Sequence, residues 1–295
     1  MLRKLCLLLL GIVGFETLCQ AQIVKEYHVK ERTGFDIVKL DFTSYKSFTQ
    51  LKRVLDSDPV SIHGELTDTN ILPDFSNSVN RDIMEVSLVH KNVESDNLGK
   101  SITSKLFSGK SNDFDHTWDL GLNSNFLYDL NFFLGMGQSN FDLAKLPVTN
   151  LKIESASSDV IIHYGEDEPN MVQMDTLLVL LDMGKVEIPQ ANYTNSKKII
   201  VEVSYGKIDL DFGEGMNSSC DVIAALGAGT LNLHLPSESY PVKIKVKSTP
   251  MCRMNLPKFL KEVEENTYTT KGYDENDPRL LELTLDVGVG SIVID

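Results

Sequence analysis

Leu226-Gly227-Ala228-Gly229-Thr230-Leu231-Asn232-Leu233-His234-Leu235 reads as an apolar approach, a Gly-Xaa-Gly bend and a strictly alternating strand. The phrase returns as Val287-Gly288-Val289-Gly290-Ser291-Ile292-Val293-Ile294-Asp295, and Leu134-Gly135-Met136-Gly137 leads through a short polar stretch into Phe141-Asp142-Leu143. Looser copies are Asp182-Met183-Gly184-Lys185-Val186-Glu187-Ile188 and Ser204-Tyr205-Gly206-Lys207-Ile208-Asp209-Leu210; in Glu154-Ser155-Ala156-Ser157-Ser158-Asp159-Val160 serines replace the glycines. With the second small residue of each bend as marker, positions 137, 157, 184, 206 and 229 lie 20, 27, 22 and 23 residues apart. Self-similarity at that period signals stacked repeats, and the interval is too short for a sandwich or a propeller blade.

Glycine at the bend permits backbone angles and close approaches that a Cβ forbids, so each copy makes a corner. One short coil cannot bury its own apolar side, but coils stacked at about 4.8 Å place Leu over Leu and Ile over Ile in a continuous core. Alternation fixes the inward side: Ile208, Leu210 and Phe212 share one face, while Lys207, Asp209 and Asp211 share the other. The sequence therefore predicts an all-β chain, a single-stranded β-helix (β-solenoid) with short irregular insertions. Gly229 and Gly290 are 61 residues apart, about three intervals, so degenerate coils are expected between them, with Val242-Lys243-Ile244-Lys245-Val246 as one strand. The segment Asn255 to Thr270 is the expected place for a short helix, opened by Pro257. The last copy runs to Asp295, which predicts an uncovered C-terminal edge strand open to homodimerisation.

Of 295 residues, Met1 to about Ala21 carries Arg3 and Lys4, an apolar run from Leu5 to Phe15, and Cys19-Gln20-Ala21 with small residues suited to signal peptidase. Residues 1–21 are expected to be a signal peptide and the protein to be exported to the periplasm, cell surface or exterior. The apolar run is too short to span a bilayer, and no later stretch reaches transmembrane length. Loss of two basic residues and one acidic residue from the leader takes the formal charge from −14 to −15. A surface this acidic repels phosphate backbones and anionic membranes, which excludes nucleic acid as a partner.

Within the mature chain, residues 22–115 read as a more irregular β region and 116–295 as regular Gly-bend repeats, with no boundary between separately folded domains. Strands are expected at 35–42, 60–66 and 84–90, and a surface loop at 92–115. Residues 22–34 read as a tail or the lead into a first strand.

Several of these residues resemble a known grammar. Trp118-Asp119-Leu120-Gly121-Leu122, the bend Leu134-Gly135-Met136-Gly137, Phe141-Asp142-Leu143-Ala144-Lys145-Leu146-Pro147-Val148 and the upstream Ile62-His63-Gly64-Glu65-Leu66 are similar to the bacterial toastrack family. That family includes the extracytoplasmic domain of LiaF-type cell-wall stress regulators and related surface adhesins. The resemblance implies a single-stranded β-helix without established catalytic residues. Ala144-Lys145-Leu146 stands where Ser-Gly-Leu is more usual, and many members carry transmembrane helices that this sequence does not.

Chemistry-bearing residues are dispersed. Histidines at 28, 63, 90, 116, 163 and 234 show no metal-ligand spacing and are expected at the surface, so metal binding stays open. Glu166-Asp167-Glu168 and Asp274-Glu275-Asn276-Asp277 offer oxygen ligands of the kind calcium prefers, but match no calcium loop and read as solvated corners beside Pro169 and Pro278. Lys185 and Lys207, with Glu187 and Asp209, are expected to stack as an outer charged ladder. Ser218-Ser219-Cys220-Asp221 lacks the glycines of a nucleophile elbow. Tyr164, Tyr193 and Tyr205 sit at corners, where rings either pack or stack on sugars. Cys220 and Cys252 leave both a disulfide and two separate thiols open.

No catalytic residue and no cofactor is expected. The function expected is that of a non-enzymatic, adhesin-like protein contacting an envelope or extracellular protein or polysaccharide; the alternative is a calcium-assisted carbohydrate-active enzyme on a β-helix.

Overall fold

In the computed structural model, residues 23–30, 34–67, 73–90 and 116–295 are described. The expected signal peptide and the expected 92–115 loop lie outside them. Among the described residues, seventeen strands form one continuous sheet, and the only other regular elements are two short 3-10 turns at Gly165–Asp167 and Ala191–Thr194.

Six long strands carry the repeat: β8 (Leu127–Asp142), β9 (Val148–His163), β10 (Met174–Ile188), β11 (Ser196–Asp211), β12 (Cys220–His234) and β17 (Leu281–Ile294). They pair in parallel in that order, in register along nearly their whole length. Each is bent at its middle, so its two arms face one another. The alternation slips by one at the bend: the last inward residue of the first arm and the first inward residue of the second are five apart. Leu181 and Val186, Val203 and Ile208, Leu226 and Leu231, and Val287 and Ile292 are such pairs, all buried. Return segments close the open side with buried Leu143, Leu146, Tyr164, Ala191, Phe212 and Met216. Asn170, itself buried, completes the edge of β9: its amide donates to Val148 O at 2.8 Å and accepts from Val148 N at 2.9 Å.

Glycine is required at the corner because coils approach backbone to backbone there. Gly206 has φ +150°, and a Cβ on it would lie 1.7 Å from the carbonyl oxygen of Gly184; Gly184, Gly229 and Gly290 repeat the arrangement. In β9 the stacked residue is Ser158, not Ser157, since Ser158 pairs with Gly137 on one side and Gly184 on the other. The corrected marker positions are 137, 158, 184, 206 and 229. Serine corners use a different device: Ser158 Oγ lies 2.7 Å from Ser155 Oγ, buried, and Ser47 Oγ lies 2.8 Å from Ser44 Oγ in the coil below. The hydroxyl pair satisfies itself where the other coils bury an apolar residue.

That lower coil is β2 (Ile37–Ser44) and β3 (Ser47–Val54), which stack on the first and second arms of β8, respectively. Beyond it the arms diverge. β6 (Ile83–Val89) pairs with β2 and carries the hairpin partner β5 (Asp74–Asn80). β7 (His116–Asn123) pairs with β3, β4 (Val60–Leu66) runs antiparallel to β7, and β1 (Ile23–Val29) antiparallel to β4. The segment read as a tail or lead thus contains a strand, and β3 and β5 are strands that the sequence pattern did not mark. Trp118, fully buried on β7, sits opposite Gly64 of β4, where a Cβ would come within 2.4 Å of the indole. Two of the family-like motifs are therefore two sides of one contact.

The other end departs from the expected order. Gly229 stacks directly on Gly290, so no coil separates them. β13 (Val242–Ser248) and β14 (Cys252–Asn255) pair in parallel with the far edge of β17. β17 is therefore an interior strand with neighbours on both sides, and the expected uncovered edge is absent there. The segment expected as a helix holds the end of β14, a turn closed by Leu260 N donating to Pro257 O at 3.2 Å, and an antiparallel hairpin of β15 (Lys261–Glu264) and β16 (Thr267–Thr269) that covers β13. Proline opens a turn here because no amphipathic run follows it. The peripheral strands β5 and β15 are short and polar or charged, and β1 carries Lys25, Glu26 and His28 among its apolar residues; charges on an edge discourage pairing with other chains.

Candidate functional site: a groove beside the corners

The outer face of the first arms, next to the corners, forms an open groove of about 970 Å³ crossing from β8 to β17. Its floor is built from the small residues of the repeat, among them Ala156, Ser204, Gly227 and Gly288. Their size leaves the trough; larger side chains in the flanking columns raise its walls. Phe133 and Tyr205 are 48% and 63% exposed, large for aromatic rings, and Leu180 and Val289 add aliphatic surface. Six stacked strands give a length of about 24 Å at about 4.8 Å per step.

Carboxylates sit in the same trough. Glu154 is paired with Lys152 at 2.9 Å, and Asp286 lies opposite Lys247 in the β17–β13 register. Asp182 and Glu202, near the middle, form no ion pair with any described residue. Read in sequence, the corner glycines mark only bends, and the groove beside them is not expected. The available signal was the coincidence of small residues in one column with exposed aromatics in the next, which becomes visible only once the register is known.

Other candidates disperse. Lys185 stacks on Lys207 and Glu187 on Asp209, as the ladder expectation had it, on the second arms. Each lysine pairs within its own strand, Lys185 with Glu187 and Lys207 with Asp209. Desolvation works against the charged Asp209, but hydrogen bonds from Lys207 at 2.5 Å and Asn232 at 3.1 Å, together with the nearby Lys207 and His234 charges, outweigh it. The carboxyl is held below the usual carboxylate range.

The acidic turns use their oxygens locally. Glu168 pairs with Lys145 at 2.8 Å, and Asp142 Oδ1 accepts the Gly165 N–H; Asp274 and Asp277 accept backbone N–H groups of Asn276 and Arg279. Ser218 Oγ meets Gln173 Nε2 at 3.1 Å. Tyr164 is fully buried and meets Tyr193 edge to face, leaving Tyr205 as the exposed ring. Not all histidines are at the surface: His90 and His116 are buried with ring centres 4.6 Å apart, beside Trp118. Cys220 and Cys252 are free thiols on opposite sides of β17, aligned with Leu281 and Gly290, so they cannot join. Burial, with the Asp221 charge, pushes the Cys220 thiol up to about 12, which makes it inert.

The architecture is that of an all-β solenoid, and residues 56–180 match the family described as the N-terminal domain of toast_rack, DUF2154. The match runs from the loop before β4 into the first arm of β10. Among solved structures, it is similar to a candidate cell adhesion protein from Clostridium sporogenes, with 17% identity over 93% of this chain and 99% of that one and a TM-score of 0.46. It is also similar to a candidate adhesin from Bacteroides fragilis (12% identity, 94% and 98% covered, TM-score 0.37) and a candidate lipid binding protein from Parabacteroides distasonis (12%, 94% and 98%, TM-score 0.36). No curated protein matches the sequence. Among the described residues, no helix is long and apolar enough to cross a membrane.

Proposed function

We propose that the protein is a non-enzymatic, adhesin-like β-solenoid, exported to the periplasm, cell surface or exterior, that holds an extended, basic and partly apolar polypeptide segment of an envelope or extracellular partner in the groove beside its corners. The observation that carries this reading is the pairing of Asp182 and Glu202, free of ion pairs with described residues, with exposed Phe133, Tyr205 and Val289 in one trough. Apolar walls gain from covering aliphatic stems, and the two carboxylates take the ammonium or guanidinium heads. An acidic polymer would be repelled, and a neutral glycan would leave both charges without a partner. About seven residues of extended chain span about 24 Å at about 3.4 Å per residue.

The test is co-sedimentation of the purified protein with isolated cell-wall and membrane fractions, with a peptide of alternating Lys and Val, or of alternating Glu and Val, as competitor. Expected are saturable pelleting, displacement by the Lys peptide alone, and at least tenfold weaker binding for Asp182→Asn/Glu202→Gln. Pelleting that is unchanged in this double variant, or displaced equally by both peptides, removes the groove from the function; no pelleting and no peptide binding removes the adhesin-like reading altogether.

A further inference from the structure

Away from the groove, the edge strand β1 and the loop between β3 and β4 bring His28, Asp56 and Asp58 together, with one ligand atom from each lying within 4.8 Å of the others. His28 Nδ1 and Asp58 Oδ2 are 3.1 Å apart. That hydrogen-bonding separation is also one that two ligands of a shared ion can take: with metal–ligand distances of about 2.1 Å, adjacent ligands lie about 3.0 Å apart in an octahedron and about 3.4 Å in a tetrahedron. Asp56 supplies the third donor of the group. Its Oδ1 accepts the Ser57 N–H at 2.6 Å, which leaves Oδ2 for a ligand bond.

The loop is held from below, so the arrangement is built and not a chance meeting of surface chains. Asn123 of β7 donates its side-chain amide to the Asp56 carbonyl. The hydroxyl of Tyr128, a fully buried residue of β8, lies 2.7 Å from Pro59 O and 2.6 Å from Asn123 O. Two buried anchors therefore fix both ends of the segment that presents the carboxylates. No lysine or arginine among the described residues forms an ion pair with Asp56 or Asp58.

We infer that His28, Asp56 and Asp58 bind a divalent transition metal ion, zinc foremost, that fastens β1 to the β3–β4 loop. One imidazole and two carboxylates give a donor set that suits Zn²⁺ or Mn²⁺, whereas calcium prefers oxygen ligands alone. Three protein ligands leave further positions to solvent or to a donor from another molecule. The separation of these residues in sequence is why ligand spacing did not mark them: His28 is 30 positions from Asp58, and the strand order brings them together.

Isothermal titration of the chelator-treated protein with Zn²⁺, Mn²⁺ and Ca²⁺ tests the assignment. Expected are one Zn²⁺ per chain, at least tenfold weaker binding for His28→Ala and for Asp58→Asn, and unchanged binding for His63→Ala and His234→Ala. Zn²⁺ should also raise the melting temperature of the wild type and not of His28→Ala, a readout independent of the heat signal. The inference is overturned if no Zn²⁺ binds at millimolar concentration, if Ca²⁺ binds as tightly as Zn²⁺, or if affinity survives in His28→Ala/Asp58→Asn. Because all three residues are at least partly exposed, the variants fold, and their circular dichroism should match the wild type.

Discussion

The bent coils from β8 to β17 and the strands at the two ends are made from the same alternating sequence, yet they pair differently. In the coils every strand pairs in parallel, corner over corner, and at every corner but the serine corner of β9 glycine is dictated by a carbonyl of the coil below. At the ends, β1, β4, β5, β15 and β16 turn antiparallel, have no corner and end in charged or polar edges. Parallel stacking with a shared corner propagates without limit; antiparallel pairing beyond it stops the stack. The repeat supplies length and a uniform outer face, and the irregular strands supply termination.

The sharpest way to break the contrast is at a corner. Gly206→Ala puts a methyl group against the Gly184 carbonyl at a φ that L-residues rarely adopt, and should cost about 4 kcal/mol or more, read as a collapse of the denaturant midpoint. Gly64→Ala tests the N-terminal end instead. There the obstacle is the ring of Trp118 and not a backbone, so a shift of the indole relieves part of the clash; a loss of about 1–3 kcal/mol with altered tryptophan fluorescence is expected. If Gly64→Ala proved as damaging as Gly206→Ala, the ends would be as rigid as the coils.

The smallest effect belongs to the outer ladder. Asp209→Asn should lower stability at neutral pH by less than about 1 kcal/mol, since the pair is partly solvated. The folded carboxyl lies below its unfolded value near 3.8, so the contribution is present above that value and lost as pH falls through the folded pKa. Wild type and Asp209→Asn should therefore converge in strong acid, and a difference that grows on acidification would contradict the assignment.

The architecture was readable because glycine corners and period-2 alternation are local. Ile208, Leu210 and Phe212 point inward as their spacing requires, and all are fully buried. What was not readable depends on which strand neighbours which. Nothing in Val287 to Asp295 says that it stacks on β12 with β14 beyond, because the partner of a strand edge is not encoded in the strand's own alternation. The helix expected at 255–270 failed because Pro257 suits a turn as well as a helix start. Ser157 and Ser158 are indistinguishable as corners in sequence because four small residues in a row, Ser155 to Ser158, leave the bend ambiguous until the neighbouring glycines fix it. The groove was hidden for the same reason: its walls come from residues more than 20 positions apart, and small residues read singly say only that the backbone bends.

The interior position of β17 sets an order on assembly. Strands β8 to β12 can each dock on the one before as the chain emerges, but β13 and β14 have no lasting partner in the stack until residues 281–294 arrive to lie between them and β12. About forty residues, in which β13 already pairs with β16 and β16 with β15, lie between β12 and the segment that wedges into place like a keystone. Closing that loop is the longest-range step at this end of the molecule, which makes the β12–β17 pairing the contact there with the largest loop entropy to overcome.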